Sequence, residues 1–145
     1  MRQVFTGARL FDGQRLHEGK ALLVEDGLVH AVTDLGSAEA GAFGGEKIVL
    51  SGGILSPGFI DLQVNGGDGI MLDGSADVEK IRRICAAHAR LGATGILPTL
   101  ITDTAQATDA VIAAGVAAAR DEVPGFLGLH LEGPHLDPRR KGAHD

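Results

Sequence analysis

Four residues carry polar groups able to do chemistry together: Gln63, Asn65, His130 and Glu132. Glu132 is the hardest to place as a plain structural residue. It closes the apolar run Phe126–Leu131 and is followed by Gly133-Pro134. A carboxylate there is costly to bury without a cation or hydrogen-bond donors. A divalent metal ion is one such cation, and a Glu oxygen is an acceptable ligand for Zn²⁺ or Fe²⁺. His130 reads either as a hydrogen-bonded core histidine or as a ligand. Gln63 and Asn65 read either as satisfied amides or as groups aimed at a ligand, and Asp61 either accepts backbone N–H bonds or joins them.

The elements that position these groups follow from the pattern. Residues 59–65, Phe-Ile-Asp-Leu-Gln-Val-Asn, alternate as a strand. Ile60, Leu62 and Val64 then share one face, and Asp61, Gln63 and Asn65 the other. Ser75 is expected to cap a helix reaching about Leu91, with Val78, Ile81, Ile84, Cys85 and Ala89 on its apolar side. Thr94–Thr102 reads as a second strand. Thr104–Arg120 reads as a second helix with Val111, Ile112, Gly115, Val116 and Ala119 on its apolar side. Phe126–Glu132 reads as a third strand, with Leu127, Leu129 and Leu131 on one face. The order β-α-β-α-β predicts parallel strands joined by helical crossovers. Polar groups at the C-terminal ends of such strands are where sites are built.

The first 55 residues have a different texture. Gln3–Phe5, Ala21–Val24, Leu28–Val32 and Lys47–Leu50 read as strands. Asp26-Gly27 predicts a tight hairpin, and Gly36–Gly45 a surface loop. The expected boundary falls at Ser56-Pro57-Gly58.

Composition narrows the function classes. The chain has 145 residues, 22 Gly, 5 Pro and a net charge of −6. It has five Phe and neither Tyr nor Trp, too few rings for a base-stacking platform. The acidic balance argues against a phosphate-backbone binder, so no nucleic-acid partner is expected. No apolar run reaches transmembrane length and the start lacks a secretory pattern, so no membrane partner and a cytoplasmic location are expected. Cys85, the single cysteine, reads as inert core. Arg139-Arg140-Lys141 is a solvated face or a lure for an anionic substrate. His135 reads as a surface residue. His17, His30 and His88 stand without partners. Gly66-Gly67-Asp68-Gly69 lacks the Lys-Ser/Thr of a phosphate loop, and there is no G-x-S-x-G elbow.

Four motifs in order carry a resemblance that covers essentially the whole chain. Leu55-Ser56-Pro57-Gly58-Phe59-Ile60-Asp61 resembles the start of the barrel in the amidohydrolase superfamily. Leu97-Pro98-Thr99-Leu100-Ile101-Thr102, Leu129-His130-Leu131-Glu132-Gly133-Pro134 and Lys141-Gly142-Ala143-His144 resemble the N-acetylglucosamine-6-phosphate deacetylase family within it. The resemblance implies an α/β fold: a partial (β/α)₈ TIM barrel over residues 56–145, contributing its first three strands, preceded by part of a small β-sandwich over 1–55. It implies hydrolysis of the N-acetyl amide of N-acetylglucosamine 6-phosphate to glucosamine 6-phosphate and acetate. It implies Glu132 as a metal ligand, Ala143 and His144 as substrate contacts, and Gln63, Asn65 and His130 near the barrel mouth. Most amidohydrolases carry His-x-His where this chain has Gln63 and Asn65, so one divalent ion, Zn or Fe, is expected rather than two.

The same resemblance implies a catalytic Asp on a late strand and two further His ligands, and no residue of this chain matches them. A full barrel takes about 250 residues, whereas residues 57–145 number 89. The expectation is therefore an N-terminal fragment, inactive alone, whose full-length form is a homodimer. Two alternatives remain at this stage. One is another amidohydrolase of dihydroorotase or deaminase type, which Gln63 and Asn65 count against. The other is a non-catalytic βαβ binding module, which Glu132 counts against.

Overall fold

The computed structural model describes residues 1–133, 136–142 and 144. The chain divides into two compact units, Met1–Pro57 and Gly58–Asp145.

The first unit holds β1 (Arg2–Thr6), β2 (Arg9–Phe11), β3 (Leu16–His17), β4 (Lys20–Glu25), β5 (Leu28–Asp34), α1 (Ala38–Phe43), β6 (Glu46–Val49) and β7 (Ile54–Leu55). One sheet has the order β5-β4-β1-β6, and a smaller one β3-β2-β7. Strands β4 and β5 are joined through Asp26 and Gly27 with φ of 52° and 80°. Two consecutive left-handed residues match the right-handed strand twist, and Asp-Gly tolerates them best. The expected loop at Gly36–Gly45 contains a helix instead. Ser37 caps it, its hydroxyl accepting from Ala40 N at 3.1 Å. Phe43 at its end enters the core with Val4, Ala21 and Leu23. A cap and one buried aromatic therefore outweigh the Gly/Ala-rich composition.

The second unit holds β8 (Phe59–Val64), β9 (Gly66–Gly67), β10 (Ile70–Met71), α2 (Val78–Ala89), β11 (Ala93–Leu100), α3 (Ala105–Arg120), β12 (His130–Leu131) and a 3₁₀ turn, Pro138–Arg140. Its main sheet has the order β12-β11-β8, and both pairings are parallel. The core is formed by Val64, Ile81, Ile84, Ile96, Leu100, Val111 and their neighbours.

Several details differ from the sequence pattern. Asp77, not Ser75, caps α2, accepting from Lys80 N at 2.7 Å. Ser75 instead donates both N–H and O–H to Asp73 Oδ1, at 2.9 and 2.6 Å. Helix α3 buries Ala107, Val111, Ala114, Gly115 and Ala118, leaving Ile112 and Val116 exposed. The small residues allow close approach, and Gly115 gives Leu129 room. The third strand is shorter than expected, because Gly128 at φ 147° interrupts it. That break separates Leu127 from Leu129 and Leu131. The latter two pack on the core, while Leu127 stands with Ile60 over Gly95, where a Cβ would lie 2.6 Å from Leu127 and 3.0 Å from Ile60. Ile60 is 55% and Leu62 64% exposed, whereas Val64 is 3% exposed. The expected common face of Ile60, Leu62 and Val64 is thus broken.

The cause is a register shift. Asp61 to Val64 on β8 spans three steps while Ile96 to Pro98 on β11 spans two. The extra residue is a β-bulge, the setting in which a sheet accommodates Pro. Its amides find partners in side chains. Gln63 N donates to Asp61 Oδ1 at 3.1 Å, and Val64 N to Thr99 Oγ1 at 2.9 Å. Thr99 is fully buried; its hydroxyl donates to Leu97 O at 3.0 Å and lies 3.4 Å from His130 Nδ1.

Replacing Thr99 by Val strands the Val64 amide. It is expected to destabilise the protein by roughly 1–3 kcal/mol, read as a lower urea midpoint, while Thr99→Ser costs less. A second expectation concerns acid. Lys80 and Ser75 hydrogen bonds pull the Asp73 carboxyl from 3.8 down to about 2. Its contribution is complete above pH 3.8 and is lost as pH falls toward 2. Asp73→Asn should flatten the stability-versus-pH curve in that window.

Candidate functional site

The C-terminal ends of the three parallel strands open onto a cavity of about 370 Å³. It is lined by Gln63, Asn65, Met71, Ile101, Thr102, Glu132 and His144. Each lining residue has a local cause. Gln63 lies within the bulge in β8, and Asn65 comes directly after the strand. Leu72 N returns to Asn65 O at 2.9 Å, closing the excursion that brings Met71 to the rim. That excursion is the β9–β10 hairpin, turned at Asp68 and Gly69 with φ of 55° and 76°. Helix α2 fastens it: Arg83 Nε donates to Asp68 Oδ2 at 2.5 Å, and His88 Nε2 lies 2.9 Å from Gly66 O. The arginine contact holds the Asp68 carboxyl below its usual range. His88 therefore has a structural partner that its sequence surroundings did not reveal.

Glu132 follows β12, and its N–H donates to Leu100 O at 2.8 Å. Its side chain is 31% exposed and faces two neighbours. Gln63 Nε2 donates to Oε2 at 2.8 Å, and His144 Nε2 lies 3.7 Å from Oε1. The other ring nitrogen, His144 Nδ1, is 2.7 Å from Thr102 Oγ1, and Thr102 Oγ1 donates to Gly133 O at 3.3 Å. A carboxylate, an amide and an imidazole thus converge from positions 69 and 81 residues apart along the chain. Such a set can hold a cation or accept hydrogen bonds from a polar ligand.

Four of the six residues singled out from the sequence fall within this description: Gln63, Asn65, Glu132 and His144 line the cavity. His130 is not among its lining residues; it sits in register with Thr99 on the sheet. Ala143 lies outside the described residues, as does His135. Asp61 serves the bulge. Arg139 pairs with Asp137 at 2.8 Å, and that contact holds the Asp137 carboxyl down. Thr102, Ile101 and Met71 were not anticipated as lining residues. The available signals were a hydroxyl just beyond the central strand and an Asp-Gly turn after a Gly pair. Among the described residues, no group of three His, Cys, Asp or Glu side chains is placed to hold a metal ion.

No protein-family profile matches the chain. Individual proteins do. The N-acetylgalactosamine-6-phosphate deacetylase of Shewanella sp. (strain ANA-3) is 38% identical over 138 residues, 95% of this chain and 35% of that protein. The N-acetylglucosamine-6-phosphate deacetylase of Haemophilus influenzae is 34% identical over 128 residues, 86% of this chain and 32% of that protein. The chain is a relative of the N-acetylglucosamine-6-phosphate deacetylases. Among solved structures, the deacetylase of that name from Pasteurella multocida superposes with a TM-score of 0.89 at 29% identity, covering 100% of this chain and 38% of that one. The Mycobacterium smegmatis enzyme, solved in complex with N-acetyl-D-glucosamine-6-phosphate, gives 0.75 at 26% identity over 99% and 36%. The chain spans about a third of the length of the curated deacetylases it matches.

Cys85 takes no part in this site. It is buried in the core, and burial pushes its thiol upward, which disfavours the reactive thiolate. A thiol reagent such as DTNB should therefore react with it only after denaturant is added; rapid reaction in native buffer would contradict the packing.

Proposed function

We propose that this chain forms part of a divalent-metal-dependent hydrolase that removes the acetyl group from N-acetylglucosamine 6-phosphate, giving glucosamine 6-phosphate and acetate. The observation that carries this reading is the convergence of Gln63, Glu132 and His144 on one cavity at the C-terminal end of a parallel sheet. The relatives' names supply the reaction class. Strands β8, β11 and β12 are neighbours in chain order. The first three strands of a (β/α)₈ barrel pair in this order. On this reading residues 56–145 are the first part of a (β/α)₈ barrel, and 1–55 are part of a β-sandwich.

The donor chemistry fits a divalent ion in part. Glu132 is held at Oε2 by Gln63, leaving Oε1 as the oxygen nearest His144. Glu132 is the ligand this chain offers, and further ligands come from outside the described residues. When bound, Zn²⁺ or Fe²⁺ polarises the amide carbonyl and lowers the pKa of an attacking water. Gln63 orients the carboxylate and stands where a second ion would need imidazole, so we assign one ion. His144 and Ala143 contact the sugar phosphate, Asn65 shapes the rim, and His130 supports the sheet beneath it. Among the described residues, no helix is long and apolar enough to cross a membrane. We place the protein in the cytoplasm and assign the full-length form to a homodimer.

A second reading concerns the sugar. The Shewanella relative is named for N-acetylgalactosamine 6-phosphate, so the C4 epimer is a competing substrate. Acetate release with each epimer, measured on the intact protein loaded with Zn²⁺ or Fe²⁺, distinguishes the two. Glu132→Gln should reduce kcat/KM at least about 100-fold and lower bound metal. The 145-residue chain alone should release no acetate above background. Full activity in Glu132→Gln would remove the metal assignment.

A further inference from the structure

We infer that His88 is a positioning residue for the candidate site: through the Gly66 carbonyl it fixes the excursion whose two ends, Asn65 and Met71, line the cavity. The identity of the ligand rests on the proposed function, and the positioning role rests on the geometry. The chain leaves the cavity rim at Asn65 and returns to it at Met71. Between them Gly66 pairs with Met71, and Gly67 with Ile70. Gly66 is therefore bonded to one rim residue and is the strand partner of the other. His88 Nε2 lies 2.9 Å from Gly66 O. A carbonyl oxygen only accepts, so Nε2 carries a hydrogen and donates it.

The contact between helix and hairpin is close. A Cβ added at Gly67 would lie 3.1 Å from Ala87 Cβ and 3.2 Å from His88 Nε2, and one added at Gly66 would overlap Ile70 O. A methyl group at the first position would push the hairpin off α2, and one at the second would open it. The two anchors on α2 hold different parts. Arg83 Nε and Nη2 donate to Asp68 Oδ2 and O at 2.5 and 2.8 Å. That pair holds the tip of the hairpin, three residues from either rim residue, and it is exposed, where ion pairs contribute little. His88 is half-buried and holds the base. Leu72, directly after Met71, is buried in the core and holds the same base from its other side. Removing the His88 donor frees the Gly66 side, and with it the placement of Asn65.

The test uses the intact protein loaded with Zn²⁺, with N-acetylglucosamine 6-phosphate as substrate. His88→Phe keeps a ring and removes the donor. It should raise KM about tenfold with a much smaller change in kcat. A displaced rim weakens binding, whereas a smaller folded fraction would lower apparent kcat and leave KM alone. His88→Gln, whose amide N–H can reach the same carbonyl, should restore most of the loss, and Arg83→Gln should raise KM less than His88→Phe does. Amide hydrogen exchange gives a readout without substrate. The Leu72 amide, bonded to Asn65 O at 2.9 Å, and its neighbours over residues 66–72 should exchange faster in His88→Phe and slow again in His88→Gln. If His88→Phe does not fold, Gly67→Ala, which keeps His88 and crowds it, should give the same rise in KM and the same faster exchange. An unchanged KM in an active variant, a loss confined to kcat, or unchanged exchange over 66–72 would overturn the inference. If the protein fails to deacetylate this substrate while exchange over 66–72 responds to both His88 variants as stated, the proposed function falls and the positioning role stands.

Discussion

The second unit depends on one buried hydroxyl. Thr99 lies on the central strand and meets the amide of Val64 on one side and the ring of His130 on the other. Its importance comes from the bulge. An extra residue in β8 leaves an amide facing a stretch of β11 that contains Pro98. A buried N–H without a partner is costly. The Thr99 side chain meets that need where the main chain does not. The hydroxyl thereby touches both neighbouring strands near their C-terminal ends.

The bulge also changes what β8 exposes. Without it, simple alternation would carry Ile60, Leu62 and Val64 to the helices. With it, Val64 alone joins the core, and Gln63 reaches Glu132. On the other side of β11, Gly128 does similar work by releasing Leu127 from the face that Leu129 and Leu131 share. Both irregularities flank the central strand, and the polar cluster lies beyond them. Sheet irregularities commonly accompany sites because regular alternation aims residues in only two directions.

The cluster is local in its electrostatics. A net charge of −6 does not describe it, because most acidic side chains are committed elsewhere. Asp68 is engaged by Arg83, Asp73 by Lys80, and Asp34 by Lys20. Glu132 differs in facing an amide and an imidazole rather than a Lys or Arg. A carboxylate met only by such groups keeps capacity for a cation or ligand that a full ion pair would consume.

Residue types and periodicity were sufficient to determine the parallel β-α-β-α-β order, the two long helices, the Asp26-Gly27 hairpin and the place of Glu132 at the end of the third strand. Those features rest on local conformational preference and on burial along a single element, and both are written in neighbouring residues. The α1 helix was not legible, because one cap and one buried Phe decide it against a Gly/Ala-rich background. The partners of Glu132 were not legible either. Gln63 lies 69 residues from it along the chain, and only the tertiary structure brings them to 2.8 Å. Which face Ile60 and Leu127 occupy, what His88 holds, and how Thr102 meets His144 were decided in the same way. Each depends on register, and register is set by pairing between strands rather than by the sequence of either one.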